Sequence, residues 1–343
     1  MSTLTQTAIF SKKASVWTVV GLVVLVILLI FLGIGKRVKN ALSPPKPPPA
    51  TVAFGKLPRM DLSEGIKPRA GIVYHLETIT GDFPTLPAVA KVFGVHKTEP
   101  SFGTLDLIKN KLANERFESD PIEVRPGVLK FVDSAREDRT ITVDIAKGDF
   151  LLESDYYTDA QILASRPRSV EEAIERARGF FQALGIDLVD FGKDKVSTKF
   201  MRIDGSSLTE ATSLAGANLI QVIFSREDLD GIPVIWPEDH EPKFYALVSN
   251  QQVAEARVET LPIEKFKFAT YPLKDPAQAF EELKKGAAAF NRPSTTSAVV
   301  IIDVTIGYVE STKNAEFLQP VYFFRGEDNL IAYVPAVDDA WVE

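Results

Sequence analysis

A continuous apolar run near the amino terminus constrains this chain more than any other feature. Between Val16 and Ile34, fifteen of nineteen residues are Val, Leu, Ile or Phe, and none is charged. As a helix, residues 14–35 would extend about 33 Å, enough for a hydrocarbon core about 30 Å thick. A buried helix of a globular protein usually keeps a polar face, and a cleaved signal peptide usually has a shorter apolar region. The run therefore predicts a retained, single transmembrane helix.

The residues predicted to anchor the chain in lipid are spread along this run. They are Val16, Trp17, Leu25, Ile30 and Ile34. Two lysines precede the run and four basic residues follow it closely, so the flanking charge leaves the orientation of the helix open. The sequence predicts a plasma-membrane location and a bilayer as the first partner.

Charge divides the chain into two unlike parts. Residues 1–50 carry six Lys and Arg and no acid, whereas residues 51–343 carry 33 Lys and Arg against 46 Asp and Glu, a formal charge of −13. An acidic main region lacks the basic surface that nucleic acid requires, so no nucleic-acid partner is predicted. The absence of cysteine excludes disulfides, thiolate zinc sites and a cysteine nucleophile.

A proline-rich segment, Ser-Pro-Pro-Lys-Pro-Pro-Pro at residues 43–49, predicts a stiff polyproline II spacer. A ligand for an SH3-type domain is the alternative interpretation. The predicted organisation is an N-terminal tail (1–13), a transmembrane helix (14–35), a basic collar with a stalk (36–69) and three folded units (70–160, 161–265 and 266–343).

Two helices in the folded region are predicted from their ends. Ser169 and Glu172 have the spacing of a capping box, and Gly185 supplies the stop. Asp275 is placed to cap a second helix, with Pro276 at the first helical position.

Apolar patterns predict two further helices, near Leu86–Phe93 and Thr104–Leu112, and many strands. In Thr140–Ile145 and Val300–Val309, apolar and polar residues alternate as in a half-buried strand. Because strands follow each helix in runs, the predicted fold class is α+β: one transmembrane helix, then repeated units of a helix on an antiparallel sheet.

No catalytic or metal-binding pattern stands out. His75, His96 and His240 lack the spacing of metal ligands. Asp228 and Asp230 suggest a calcium loop, but the next ligand positions are not filled, which favours a solvated turn. The sequence predicts a protein that is not an enzyme and has no catalytic residues, cofactor or metal.

Two tryptophans are candidate contacts for a partner protein. Trp236 lies beside Pro237 in a turn, and Trp341 lies close to the carboxyl terminus. Exposed tryptophans often anchor interfaces, while burial in the core is the alternative for both.

Several segments carry a resemblance to a known family. They are Ala88–Gly94, Thr140–Phe150, Asp230–Val234, Ala279–Gly286, Asp303–Tyr308, Leu318–Gly326 and Ala332–Ala336. Together they resemble the extracytoplasmic parts of YycI/YycH-type two-component regulators and of PepSY-like domains. The proline-rich stalk and the longer folded region depart from that pattern.

The resemblance implies a bacterial, membrane-anchored protein whose C-terminal domain lies outside the cytoplasm. It further implies a non-enzymatic regulator that binds another membrane or envelope protein, such as a sensor kinase. The alternative function is a structural component of the cell envelope or of an appendage, in which sheet edges pair between copies.

Overall fold

Strands dominate the computed structural model, which describes residues 49–96, 104–238, 242–311 and 315–343. The strands are β1 Val73–Leu76, β2 Val89–Val95, β3 Ile122–Arg125, β4 Val128–Asp133, β5 Arg136–Asp144, β6 Asp149–Glu153, β7 Phe191–Asp204, β8 Ser207–Glu210, β9 Leu219–Arg226, β10 Val234–Ile235, β11 Phe244–Val248, β12 Val253–Val258, β13 Ile263–Pro272, β14 Ala289–Phe290, β15 Ala298–Val309, β16 Phe317–Leu318, β17 Pro320–Gly326 and β18 Ile331–Pro335. The α-helices in these ranges are α1 Thr104–Ala113, α2 Ala160–Ala164, α3 Val170–Ala183 and α4 Pro276–Lys284. Short 3₁₀ turns cover Leu214–Gly216 and Asp339–Trp341.

Nine strands form the largest sheet, in the order β3-β4-β5-β6-β12-β11-β9-β7-β8, and every neighbouring pair is antiparallel. The strands come from two parts of the chain that are distant in sequence. They meet where β6 pairs with β12, with Leu152 opposite Ala256. A single sheet therefore spans residues 122–258.

Helix α3 covers one face of this sheet. It begins where predicted, because the Ser169 side chain accepts a hydrogen bond from the Glu172 amide, and Gly185 closes it with a φ of 70°. Its buried face carries Phe181, whose ring meets Phe224 and Phe244 edge-on at 5.5 and 4.8 Å between centroids. Such aromatic contacts fix the helix on the sheet in addition to the apolar area they bury.

The remaining strands form a six-stranded and a three-stranded sheet. The six-stranded sheet has the order β1-β15-β17-β18-β14, with β10 added beside β15. Both β1 and β10 run parallel to β15, and the other pairs are antiparallel. Helix α4 packs on this sheet through Phe280 and Leu283, and the three-stranded sheet has the order β13-β2-β16.

A buried ion pair joins the sheets within the compact unit Ala50–Glu343. Arg226, the last residue of β9, is 3% exposed, and Glu310, which follows β15, is 1% exposed. Arg226 donates from Nε and Nη2 to the two Glu310 oxygens at 2.8 and 2.7 Å. Leu261, just before β13, donates its amide to Glu310 at 2.7 Å and accepts from Arg226 at 2.6 Å. The pair thus connects chain segments that lead into all three sheets.

The predicted fold class is wrong. The described residues do not fall into repeated helix-on-antiparallel-sheet units, because strands from separate predicted units pair with one another: β1 with β15, β2 with β13, and β6 with β12. Two of the pairs in the six-stranded sheet are parallel. Local periodicity indicates where a strand lies but not which distant strand it joins, and the long-range pairing decides this architecture.

The helix predicted near Leu86–Phe93 is also wrong, because this segment contains β2. Val92 and Phe93 are buried between β13 and β16. A strand that pairs on both edges and is buried on both faces has a continuous run of apolar residues. The pattern of such a run does not distinguish it from a short buried helix. The helix predicted at Thr104–Leu112 is confirmed as α1.

The membrane prediction is corrected as well. Within the described ranges, no helix combines the length and the apolar character needed to cross a bilayer. The single-pass fold and the plasma-membrane location are therefore withdrawn. The run that suggested them, with Val16, Trp17, Leu25, Ile30 and Ile34, lies outside the described residues.

One buried carboxylate makes folding depend on pH. Burial raises the pKa of Asp149, at the start of β6, to about 6, and the negative charge of Glu259 adds to the effect. Its ordinary value is 3.8. The folded state therefore loses stability as pH rises from the ordinary pKa through the raised one, where Asp149 must ionise in a partly buried position.

Replacing this group, Asp149→Asn, is expected to raise the free energy of unfolding at neutral pH by about 1–3 kcal/mol. This gain in stability should vanish near pH 4, because the Asp149 carboxyl of the folded wild type is then protonated and uncharged. Urea unfolding at both pH values measures the difference. Glu137→Gln, at an exposed position of β5, is the matched control and should show no such pH dependence. An Asp149→Asn effect of equal size at both pH values would contradict the account.

Candidate functional site

A large open groove of about 1080 Å³ lies beside helix α4. Its walls are residues 59–72, the C-terminal end of α4 with residues 285–288, and the chain between 335 and 342. The floor is largely apolar and includes Leu62, Ile72, Tyr74, Leu283, Ala288 and Val337. Small-molecule sites usually enclose roughly 300–1,000 Å³, so a groove of this size and openness suits a larger ligand. We call it the basic groove, for the charges described below.

The wall formed by residues 57–72 has little regular structure but is fixed by backbone hydrogen bonds. Leu57 donates to the Trp341 carbonyl at 2.8 Å. Ile66 and Phe290 exchange two hydrogen bonds, at 2.9 and 2.8 Å, as in an isolated antiparallel bridge. The wall is thus tied both to the carboxyl terminus and to β14, so the groove is preformed.

One buried lysine holds two sides of the groove together. Lys274 is nearly fully buried, and its Nζ lies 2.9 and 3.0 Å from the Glu282 oxygens and 2.7 Å from Asp339 Oδ1. The Tyr322 hydroxyl donates to the Lys274 carbonyl at 2.6 Å. Since three carboxylate oxygens surround this ammonium, Lys274 joins α4 to the C-terminal turn and is not free to bind a ligand.

Five other cations with exposed side chains line the groove, and one of them, Lys284, pairs with Glu281. Lys67, Arg69 and Lys285 form no ion pair with another residue of the described ranges, and Arg59 makes only a hydrogen bond from Nε to the Glu343 carbonyl at 2.8 Å. This concentration of positive side chains is unusual, because residues 51–343 have a formal charge of −13. Arg59, Lys67 and Arg69 come from the segment before β1, and Lys285 comes from the end of α4, so two separate parts of the chain bring positive charge to the groove.

Burial raises the pKa of the Tyr74 hydroxyl, which lines the floor. This phenol therefore stays neutral at physiological pH and can act only as a hydrogen-bonding group. The groove combines an apolar floor, a neutral hydroxyl and free cations, an arrangement suited to binding negative charge.

Trp236 is half-buried and packs against the core of the nine-stranded sheet. It also lines a smaller pocket of about 280 Å³, next to Arg226 and Glu310. Its indole Nε1 is buried without a hydrogen-bond partner among the described residues. Trp236 is therefore not a protruding anchor, and its role in partner binding stays a prediction.

Trp341 is half-buried too. Its ring meets Tyr271 edge-on, with centroids 6.4 Å apart. Asp339, two residues before it, and Val342, directly after it, line the basic groove, whereas Trp341 itself does not. The structure does not bring Trp341 together with Trp236 in one site.

The groups considered for metal binding do not converge. Within the described ranges, no group of three or more His, Asp or Glu is placed to hold a metal ion. Asp230 instead pairs with Lys91 at 2.7 Å, and Asp228 pairs with Lys195. His240 lies outside the described residues.

Sequence reasoning missed the basic groove because it assigned residues 36–69 to a collar and stalk. The signal was present, since Arg59, Lys67 and Arg69 are closely spaced bases at the start of an otherwise acidic region. Their convergence with Lys285, more than 200 residues away, could not be read from spacing.

Comparisons with known proteins add no family to this picture. No family model matches the chain, and no curated protein matches it. A solved structure of an uncharacterized protein from Eubacterium rectale is similar over 78% of this chain and 89% of that chain, with 12% sequence identity and a TM-score of 0.38. A similarity this weak carries no argument about fold or function, and the resemblance to YycI/YycH-type regulators stays a prediction.

The groove wall depends on a glycine with no room for a side chain. A Cβ placed on Gly65 would lie 1.7 Å from the Tyr333 hydroxyl and 2.8 Å from the Ala289 Cβ. Gly65→Ala must therefore push residues 57–72 away from β14 and β18. We expect a loss of about 1–3 kcal/mol in the free energy of unfolding, as for other overpacked sites, and faster amide exchange in this wall.

Hydrogen exchange read by mass spectrometry, together with thermal unfolding, measures both effects. Gly216→Ala is the control, because a Cβ there meets nothing nearer than 4.0 Å and the wall is unaffected. Unchanged protection of residues 57–72 in Gly65→Ala would show that the wall is not held as described.

Proposed function

We propose that this chain is a non-enzymatic binding protein whose basic groove holds an acidic, partly apolar polypeptide segment of a partner protein. The single observation that carries the proposal is the set of free cations that two separate parts of the chain bring to one preformed groove, in a region that is otherwise strongly acidic. This proposal keeps the sequence-based expectation of an interaction protein. It does not include a membrane anchor.

Size and lining favour a polypeptide over a small ligand. The groove is open to solvent, and its volume of about 1080 Å³ exceeds that of most small-molecule sites. An apolar floor flanked by charged walls suits a segment that presents apolar side chains inward and acidic side chains toward the walls. Complementary charge of this kind increases the association rate and selects the partner.

The charge pattern also disfavours the chain's own amino-terminal part as the occupant. Residues 1–50 carry six bases and no acid, so they would be repelled by Arg59, Lys67, Arg69 and Lys285. The identity of the partner stays a prediction, and a sensor kinase is the partner expected from the sequence resemblance.

Self-association through a sheet edge is the second candidate function, as in a structural envelope component. One observation favours it: β3 is an edge strand of the nine-stranded sheet and all four of its residues are exposed. Ile122 and Val124 are 59% and 52% exposed. An exposed apolar edge can pair with the edge of another copy.

The test of the proposed function is a charge reversal on both walls, Arg69→Glu with Lys285→Glu. The probe is a labelled peptide of Glu and Leu residues, compared with a peptide in which Gln replaces every Glu. Fluorescence anisotropy should show binding of the acidic peptide that weakens with added salt. The reversal should weaken it by about tenfold, as expected for two lost charge contacts and two new repulsions.

The matched control is Arg125→Glu with Lys193→Glu, which reverses one Arg and one Lys at exposed positions outside the groove. It should bind the acidic peptide as the wild type does. Equal binding of the Gln peptide, or equal loss in the control, would refute the proposal. Sedimentation velocity on the same samples detects pairing between copies.

A further inference from the structure

The hydroxyl of Tyr74 differs from those of the other tyrosines. All eight tyrosines of the chain lie in the described ranges, and seven of them use the hydroxyl in a hydrogen bond with a described residue. Four donate to a backbone carbonyl, and three form a network around the Glu255 carboxylate. Tyr74 is also buried, with only 9% of the residue exposed, yet its hydroxyl has no hydrogen-bond partner among the described residues. Buried polar groups are nearly always paired, so this exception calls for an explanation.

The Tyr74 hydroxyl can be reached from the basic groove. Tyr74 lines the groove. Its oxygen keeps exposed surface, since it does not belong to the unpartnered polar atoms that are fully buried, as Trp236 Nε1 does. A ligand in the groove can therefore form a hydrogen bond with this hydroxyl without displacing a partner from the described residues.

Packing fixes the direction in which this hydroxyl points. The Tyr74 ring lies nearly parallel to the ring of Phe290, with centroids 6.5 Å apart. The backbone of Phe290 is itself paired with Ile66 in the groove wall, and Tyr74 lies opposite Val299 of β15 in the six-stranded sheet. Because the ring is held in this way, little side-chain freedom is lost when the hydroxyl binds a ligand.

The surroundings of the hydroxyl favour an acceptor that carries negative charge. Burial raises the pKa of Tyr74, so the phenol keeps its proton and can donate it to a hydrogen bond. Arg69 lies five residues before Tyr74, and Lys285 lies two residues after Leu283, which packs in the same apolar cluster as Tyr74. A carboxylate has two oxygens and can accept from the phenol while it pairs with one of these cations. A backbone carbonyl would leave the positive charge unpaired.

We infer that the Tyr74 hydroxyl donates a hydrogen bond to one side-chain carboxylate of the segment bound in the basic groove, and so determines which position of that segment must be Asp or Glu. The inference rests on the proposed function and adds a specificity-determining residue to it. The free cations attract any acidic segment. A single directed donor in an apolar floor fixes the orientation of one particular segment.

Fluorescence anisotropy of the full chain tests this inference with a labelled peptide that carries three Glu residues among Leu residues. Three further peptides each have one Glu replaced by Gln. For the wild type, one of the three replacements should weaken binding more than the other two. Tyr74→Phe removes only the hydroxyl and should weaken binding of the parent peptide about tenfold, as expected for a lost hydrogen bond to a charged group. In this variant, the three replacements should have equal effects.

Tyr308→Phe is the matched control. Its hydroxyl donates to the Lys91 carbonyl at 2.8 Å, and Tyr308 does not line the groove. Tyr308→Phe should lower the midpoint of urea unfolding and leave peptide binding unchanged. Tyr74→Phe should leave the midpoint unchanged, because it removes no hydrogen bond between described residues.

Two results would overturn the inference and leave the proposed function in place. One is wild-type affinity of Tyr74→Phe for the parent peptide. The other is an equal loss of affinity for all four peptides, which would show that the hydroxyl bonds to the peptide backbone. A different result, no salt-dependent binding of the parent peptide by the wild type, would refute the proposed function and this inference with it.

Discussion

The buried pair of Arg226 and Glu310 is the contact on which the rest of the structure depends. Both side chains are almost fully removed from solvent, and two parallel hydrogen bonds join them. The backbone of Leu261 adds two more hydrogen bonds: its carbonyl accepts one from Arg226, and its amide donates one to Glu310. Burial of two charges is favourable only with such complete pairing, and the loss of one partner leaves the other uncompensated. The ends of β9 and β15 and the start of β13 are therefore held at one point.

The candidate site lies on one of the sheets that this contact joins. The basic groove is built around α4 and the six-stranded sheet, where the free cations stand out against an acidic chain. The positive charges of the groove are exposed and suit a flexible acidic segment.

The sequence predicted those parts of the fold that depend on interactions between residues close together in the chain. Ser169 and Asp275 cap α3 and α4 as expected, because a cap requires only a few neighbouring residues. The fold class failed because β1 joins β15 and β2 joins β13 across some 170 to 220 residues. The basic groove was missed for the same reason, since Lys285 meets Arg59 and Lys67 only through the folded chain. No pattern within a single segment of sequence indicates that it lies close to a distant segment in the folded chain.

A double-mutant cycle on Arg226→Met and Glu310→Leu tests the central role of the buried pair most directly. The free energy of unfolding is measured for the wild type, both single variants and the double variant. The account predicts that each single substitution costs about 3–5 kcal/mol and that the double variant loses clearly less than the sum, since neither charge is then left alone. Single losses below about 1 kcal/mol that simply add would contradict it, because they are the behaviour of an exposed pair.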